Sequence, residues 1–204
     1  MRILTTLFFI LGLVLSMQAQ NTQSTNGYAV GDIATSFNLL NVNGEMVSPD
    51  SYPDAQGFII VFTCNHCPFS VKYEDRIIDL HNSFAELGFP VIAIDPNDAT
   101  AYPSDSYEGM QARAEEKGFN FPYLHDESQE IAKAYGATRT PHTFIVEKVD
   151  SDLIVRYIGA IDDNVDGSDV GEPYVANAVQ SLLEGVVVEN NSTKAVGCSI
   201  KWKK

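Results

Sequence analysis

The sequence predicts an α/β domain, a central mixed β-sheet flanked by helices and preceded by an N-terminal β-hairpin, and three features carry that prediction. Phe58-Ile59-Ile60-Val61-Phe62 is a wholly apolar, largely β-branched run after Gly57, the pattern of a strand buried on both faces. Phe69, Tyr73, Ile77, Leu80, Phe84 and Leu87 then recur at steps of three and four residues, one apolar stripe at helical period. A second apolar run, Phe89 to Asp95, follows and completes a strand–helix–strand unit.

The remaining elements fall into place in chain order. Residues 1–19 read as a signal peptide: Arg2 is a short basic start, Leu7 to Leu15 is an apolar run around Gly12, and Ala19-Gln20 is a cleavage point. The run is shorter than the about 20 apolar residues of a spanning helix. Met17 stands where a small residue is preferred, so a retained N-terminal anchor is the alternative. Residues 20–27 form a polar tether. The stretch from Val30 breaks at Asn43-Gly44 and resumes at Met46-Val47, a hairpin with an Asn-Gly turn. Pro68 is tolerated in the first turn of the long helix, and Gly88 caps its end. A short helix passes through Met110 and Ala114, and Phe119 to Leu124 reads as a strand. Asp126 and Gln129 open a helix that stops at Gly136. Strands at Thr143–Val146 and Leu153–Ile158 lead to a last helix from Pro173 to Gly185. The single domain therefore runs over 28–185, with 186–204 as a C-terminal tail.

Charge excludes whole classes of function. The 204 residues hold 13 basic and 27 acidic groups, a net charge of −14. Five of the basic residues lie in the leader and the last eleven positions, so the body is more acidic still. Such a surface repels phosphate backbones and anionic lipid, so no nucleic-acid partner and no stable membrane insertion after signal cleavage are expected. The leader points to export, into a periplasmic space where disulfides persist.

The chemistry is concentrated in Cys64-Asn65-His66-Cys67. Cys64 follows a buried strand and sits at the mouth of the long helix. Unpaired N–H groups there, with the positive end of the helix dipole, stabilise thiolate over thiol. The spacing brings Cys64 and Cys67 onto one face, close enough for a small disulfide ring. His66, when protonated, adds a positive charge beside Cys64. A stabilised thiolate makes the corresponding disulfide more oxidising.

This segment, with Gly136-Ala-Thr-Arg-Thr140-Pro141-His-Thr-Phe144 and the hairpin from Gly31, resembles thioredoxin-fold proteins of the redoxin family. It is similar to TlpA/ResA-like thiol–disulfide oxidoreductases and to the peroxiredoxin-like, AhpC/TSA-related group, over roughly residues 28–185. The resemblance implies a cis Pro141 lying against the cysteine pair and a Thr140 backbone that pairs with an extended substrate. It also implies catalysis by Cys64, Cys67 and His66: Cys64 attacks a disulfide, and Cys67 resolves the intermediate. The implied partners are protein thiols and disulfides with a redox partner protein, and no cofactor is needed.

The chain also departs from that pattern. Peroxiredoxins carry Thr-x-x-Cys, but Val61 and Cys64 stand three residues before the two cysteines. Arg139 is an auxiliary candidate for the peroxiredoxin arginine. Thioredoxin has a buried acid six residues before its first cysteine, where this chain has Phe58. A thiol peroxidase is therefore a second reading. A copper carrier using Cys64, Cys67 and a histidine such as His142 is a third, although no metal site is the leading expectation. His81 and His125 are expected at the surface. Cys198 is either an auxiliary resolving cysteine or an inert thiol in the tail.

Overall fold

Strand β4 (Gly57–Phe62) runs through the middle of the molecule with all six residues buried. The computed structural model describes residues 27–204, so the expected signal peptide over 1–19 and residues 20–26 of the tether lie outside the described residues. β4 pairs in parallel with β5 (Val91–Asp95) and antiparallel with β8 (His142–Val149). β9 (Asp152–Gly159) and β1 (Ile33–Ala34) extend the sheet beyond β8. On the other side it continues through β6 (Tyr123–His125), β2 (Leu39–Asn41) and β3 (Met46–Val47).

The predicted hairpin is β2 and β3, joined through Gly44 in the left-handed region at φ 87°. The segment before it is not part of that hairpin. Ile33–Ala34 pairs with Leu153–Ile154 at the opposite edge of the sheet, so the N-terminal stretch serves both edges.

Alternation along β4 builds two cores. Ile59 and Val61 face α1 (Pro68–Phe84) and α4 (Tyr174–Leu183), meeting Tyr73, Ile77 and Val179. Phe58, Ile60 and Phe62 face α3 (Glu130–Tyr135), meeting Ala132, Tyr135 and Phe144. Each such fully buried side chain contributes about 1.5–3 kcal/mol. Helix α2 (Tyr107–Lys117) is tied to α1 by Arg113, which donates to both Glu74 carboxylate oxygens at 2.7 Å. Among the described residues, no helix is long and apolar enough to cross a membrane.

The start of α3 differs from expectation. Gln129 does not cap it with its side chain; it holds φ 64° and its amide donates to Pro96 O and Lys201 O. Asp126 does the capping, accepting the Ala132 N–H at 2.8 Å. Residues 186–204 pack back onto the domain. Ser192 bridges Ile158, and β10 (Cys198–Ser199) pairs with β7 (Arg139–Thr140) as a second, two-stranded sheet.

Candidate active site

Strand β4 delivers the chain to the site. The Thr63 N–H donates to Ile94 O, one residue past the strand, and the backbone then turns into α1. Cys67 is the N-cap of α1 and Pro68 occupies its first turn, where no intrahelical N–H is needed. The Thr140–Pro141 bond is cis. Cys64 Sγ lies 3.1 Å from Thr140 Oγ1, and the Cys67 thiol donates to Thr140 O at 3.2 Å. The two cysteines and Thr140, far apart in sequence, thus form one cluster, and both sulfurs are buried. Cys198 joins it from the C-terminus, opposite Thr140 in the β10–β7 register.

His66 turns to a different partner from the one its position suggests. Its Nδ1 is 2.5 Å from Asp105 Oδ2, and its ring stacks on Tyr102 at 3.8 Å between centroids. Asp105 is fully buried, in a 3₁₀ turn over Pro103–Asp105. Its carboxylate also accepts the N–H groups of Asn65 (2.9 Å) and His66 (3.1 Å) and the Asn97 amide (2.9 Å). One carboxylate therefore shapes the whole Asn65–His66 turn. Nothing in the loose 96–118 segment marks Asp105 in the sequence; only the fold brings it under the cysteines.

A second acid was equally hidden. Asp95 ends β5, fully buried, and burial foremost raises its carboxyl well above the usual range, with Asp105 adding to the effect. Tyr123 Oη lies 2.9 Å from Asn65 Oδ1 and 3.2 Å from Asp95 Oδ2. The tyrosine has one proton for two acceptors, and both contacts are satisfied when Asp95 is itself protonated. The available signal was an acid closing an otherwise apolar strand. A buried acid thus reaches the site from β5, where the corresponding position on β4 holds Phe58.

The AhpC/TSA family model matches residues 30–158, more than half of the chain. The chain belongs to the AhpC/TSA family. A conserved protein of uncharacterised function from Geobacillus kaustophilus is 40% identical, with 87% of this chain and 94% of that one covered and a TM-score of 0.80. A hypothetical protein from Sinorhizobium meliloti is 33% identical, with 87% and 97% covered and a TM-score of 0.80. The thioredoxin domain of a thiol-disulfide oxidoreductase from Bacteroides vulgatus shares the fold at 17% identity, with 65% and 91% covered and a TM-score of 0.53. No curated protein matches the sequence. The fold is thioredoxin-like, as the motifs implied.

Within this AhpC/TSA scaffold the two central thiols act on one another, and their surroundings shift them in opposite directions. The neighbouring Cys67 thiol, burial and the charge of Asp105 push Cys64 up. Cys67 is pulled down by the Cys64 thiol and, against burial, by the Cys198 thiol and the backbone N–H groups of Ser70 and Cys198. Its contact with Thr140 O turns repulsive when the proton leaves, which offsets part of that lowering. The surroundings thus raise Cys64 and lower Cys67.

Other candidates of the AhpC/TSA chain are placed plainly. Arg139 Nη1 donates to Gly197 O at 2.9 Å and so holds the C-terminal segment. His142 is buried on β8, accepts the Thr138 N–H through Nδ1, and is kept neutral by its burial. The side chains that converge as a metal-ligand set are Cys64, His66 and Asp105, within 4.8 Å of one another; Cys67 and His142 are outside it. His81 and His125 are half-buried, not on the surface: His81 Nδ1 accepts the Val91 N–H, and His125 stacks with Tyr107.

Proposed function

We propose that the protein is an exported thiol–disulfide oxidoreductase whose redox centre is a Cys64–Cys67 disulfide, exchanged with the thiols of a partner protein. The observation that carries this reading is the pair of sulfurs at the head of α1, buried and both held by Thr140 beside the cis Pro141. In the reductive direction the Cys67 thiolate attacks one sulfur of a partner disulfide. A Cys67–partner bond forms, the partner's S–S bond breaks, and the leaving thiolate takes up a proton. Cys64 then loses its proton and attacks Cys67 Sγ, closing Cys64–Cys67 and releasing the second partner thiol. Two electrons pass from the cysteine pair to the partner, with no cofactor. In the reverse direction, the protonated Asp95 carboxyl is a proton source for Cys64 as it departs.

This order is the reverse of the one expected from sequence, and it follows the hydrogen-bond donors around Cys67. Pro141 and Thr140 form the edge that receives the partner strand. The leader, with Arg2 and Leu7 to Leu15, supports export to a periplasmic space.

Trapping settles the roles. Reduced Cys64→Ser incubated with a disulfide-containing protein is expected to accumulate mixed disulfides at Cys67, and Cys67→Ser to accumulate none. Mixed disulfides held by Cys64 alone would overturn the order. Wild type that consumes hydrogen peroxide but no protein disulfide would replace the reading with a thiol peroxidase. Stoichiometric copper binding without exchange would replace it with a carrier.

A further inference from the structure

The C-terminal segment occupies the edge that a partner strand would need. β10 lies antiparallel to β7 with Cys198 opposite Thr140 and Ser199 opposite Arg139. Thr140 O in turn accepts the Cys67 thiol at 3.2 Å, so Cys198 and Cys67 meet at the same residue. The approach is unusually close just before the cysteine. A Cβ on Gly197 would stand 2.2 Å from Thr140 O and 3.0 Å from Pro141 N, so glycine alone fits there without a shift.

The segment is anchored on both sides of Cys198. Before it, Arg139 Nη1 donates to Gly197 O. After it, the Ile200 N–H donates to Thr138 O, and the Ile200 side chain is buried. The Lys201 N–H donates to Asn97 Oδ1 at 2.8 Å, and Lys201 O accepts from Asp98 N–H and the Gln129 amide. The buried Gln129, held in its left-handed conformation, also accepts the Lys203 N–H. A tail resting on the surface would need none of this.

We propose that β10 is a tethered substrate strand and that Cys198 is a third redox sulfur, which exchanges with the Cys64–Cys67 disulfide to form Cys67–Cys198. The inference rests on the oxidoreductase reading, because it starts from that disulfide. Cys198 gives up its proton and attacks Cys67 Sγ. The Cys67–Cys198 bond forms, the Cys64–Cys67 bond breaks, and Cys64 leaves as a thiolate that takes up a proton. No electrons enter or leave. The exchange frees Cys64 while a covalent bond holds β10 over Thr140, so a partner reaches the edge only after β10 is released.

The test is disulfide mapping by mass spectrometry after oxidation of the full chain with glutathione disulfide and acid quenching. Cys64→Ser is expected to give Cys67–Cys198 as its main product, and Cys198→Ser to give Cys64–Cys67 alone. Adding Gly197→Ala to Cys64→Ser, which leaves both sulfurs in place, should abolish the Cys67–Cys198 peptide. In wild type, brief oxidation should trap a fraction with Cys67–Cys198 bonded and Cys64 free, a readout that depends on no substitution. Cys67 and Cys198 recovered as separate glutathione adducts in Cys64→Ser, with no such fraction in wild type, would overturn the proposal. That result leaves the oxidoreductase reading standing if wild type still forms Cys64–Cys67; absence of Cys64–Cys67 in both wild type and Cys198→Ser would instead remove that reading.

Discussion

His66 Nδ1 and Asp105 Oδ2 are 2.5 Å apart, and both groups come within 4.8 Å of Cys64 Sγ. A protonated His66 beside the sulfurs favours thiolate, whereas the Asp105 charge raises Cys64. The two substitutions should therefore move the Cys64–Cys67 reduction potential in opposite directions. His66→Ala lowers it, since the reduced form loses a positive neighbour, and Asp105→Asn raises it. Each shift should be some tens of millivolts, where about 30 mV corresponds to about 1.4 kcal/mol. Equilibration with glutathione measures both, and shifts of the same sign would refute the charge argument.

The opposite shifts of the two thiols give a spectroscopic prediction. With burial and the Asp105 charge against it, Cys64 alone stays a thiol through neutral pH. Cys67 keeps the backbone N–H groups of Ser70 and Cys198 when Cys64 and Cys198 are both replaced. Ultraviolet thiolate absorbance at neutral pH should persist in Cys64→Ser combined with Cys198→Ser, and vanish in Cys67→Ser combined with Cys198→Ser. Loss in the first and retention in the second would reassign the thiolate to Cys64.

Asp95 should cost stability at neutral pH while serving the chemistry. Its carboxyl is raised in the folded protein from an ordinary value of 3.8, so folding favours the protonated form. The stabilisation is full below pH 3.8 and is lost as pH rises towards the folded value. Asp95→Asn stays neutral and keeps the groups that meet Asn97 and Tyr123. It should raise stability at pH 7 by about 2 kcal/mol in urea unfolding, while slowing disulfide exchange. A variant that is less stable at pH 7 would mean that Asp95 is ionised.

His142 supplies the opposite pH dependence. Burial, with help from Arg139, lowers it from 6.5 to about 4. An unfolded chain then binds the proton first, so stability is complete above pH 6.5 and falls as pH drops towards 4. The loss reaches about 3 kcal/mol at the low end. His142→Asn, which cannot titrate, should flatten that part of the stability profile; an unchanged slope would place the titration elsewhere.

Removing Arg113 tests the attachment of α2. Glu74 is nearly buried, and Arg113→Ala strips its two-pronged partner while Lys117 Nζ remains 3.4 Å away. The expected loss is about 3 kcal/mol in chemical denaturation, since a buried carboxylate loses its main counter-charge. A loss under about 1 kcal/mol would class the pair with exposed ion pairs.

What the sequence determined by itself was everything that depends on near neighbours along the chain. Apolar period and breakers placed β4, α1, β5 and the Asn43-Gly44 turn, because burial on one face or two imposes a rhythm that a linear reading detects. The Cys64-x-x-Cys67 pair was legible for the same reason: three-residue spacing at a helix start is local geometry. Only the tertiary structure decided the environment of those sulfurs. Asp95 reaches them from a neighbouring strand, Asp105 from the segment after it, and Cys198 from beyond the last helix. Their effects are electrostatic and hydrogen-bonding, fixed by distance in space, and separations of roughly thirty to more than a hundred residues leave no period for a reader to follow. The same separation explains why β10 looked like a tail. Two residues opposite Thr140 and Arg139 have no strand-like pattern of their own, and only the seat formed by Thr138, Arg139, Asn97 and Gln129 makes them one.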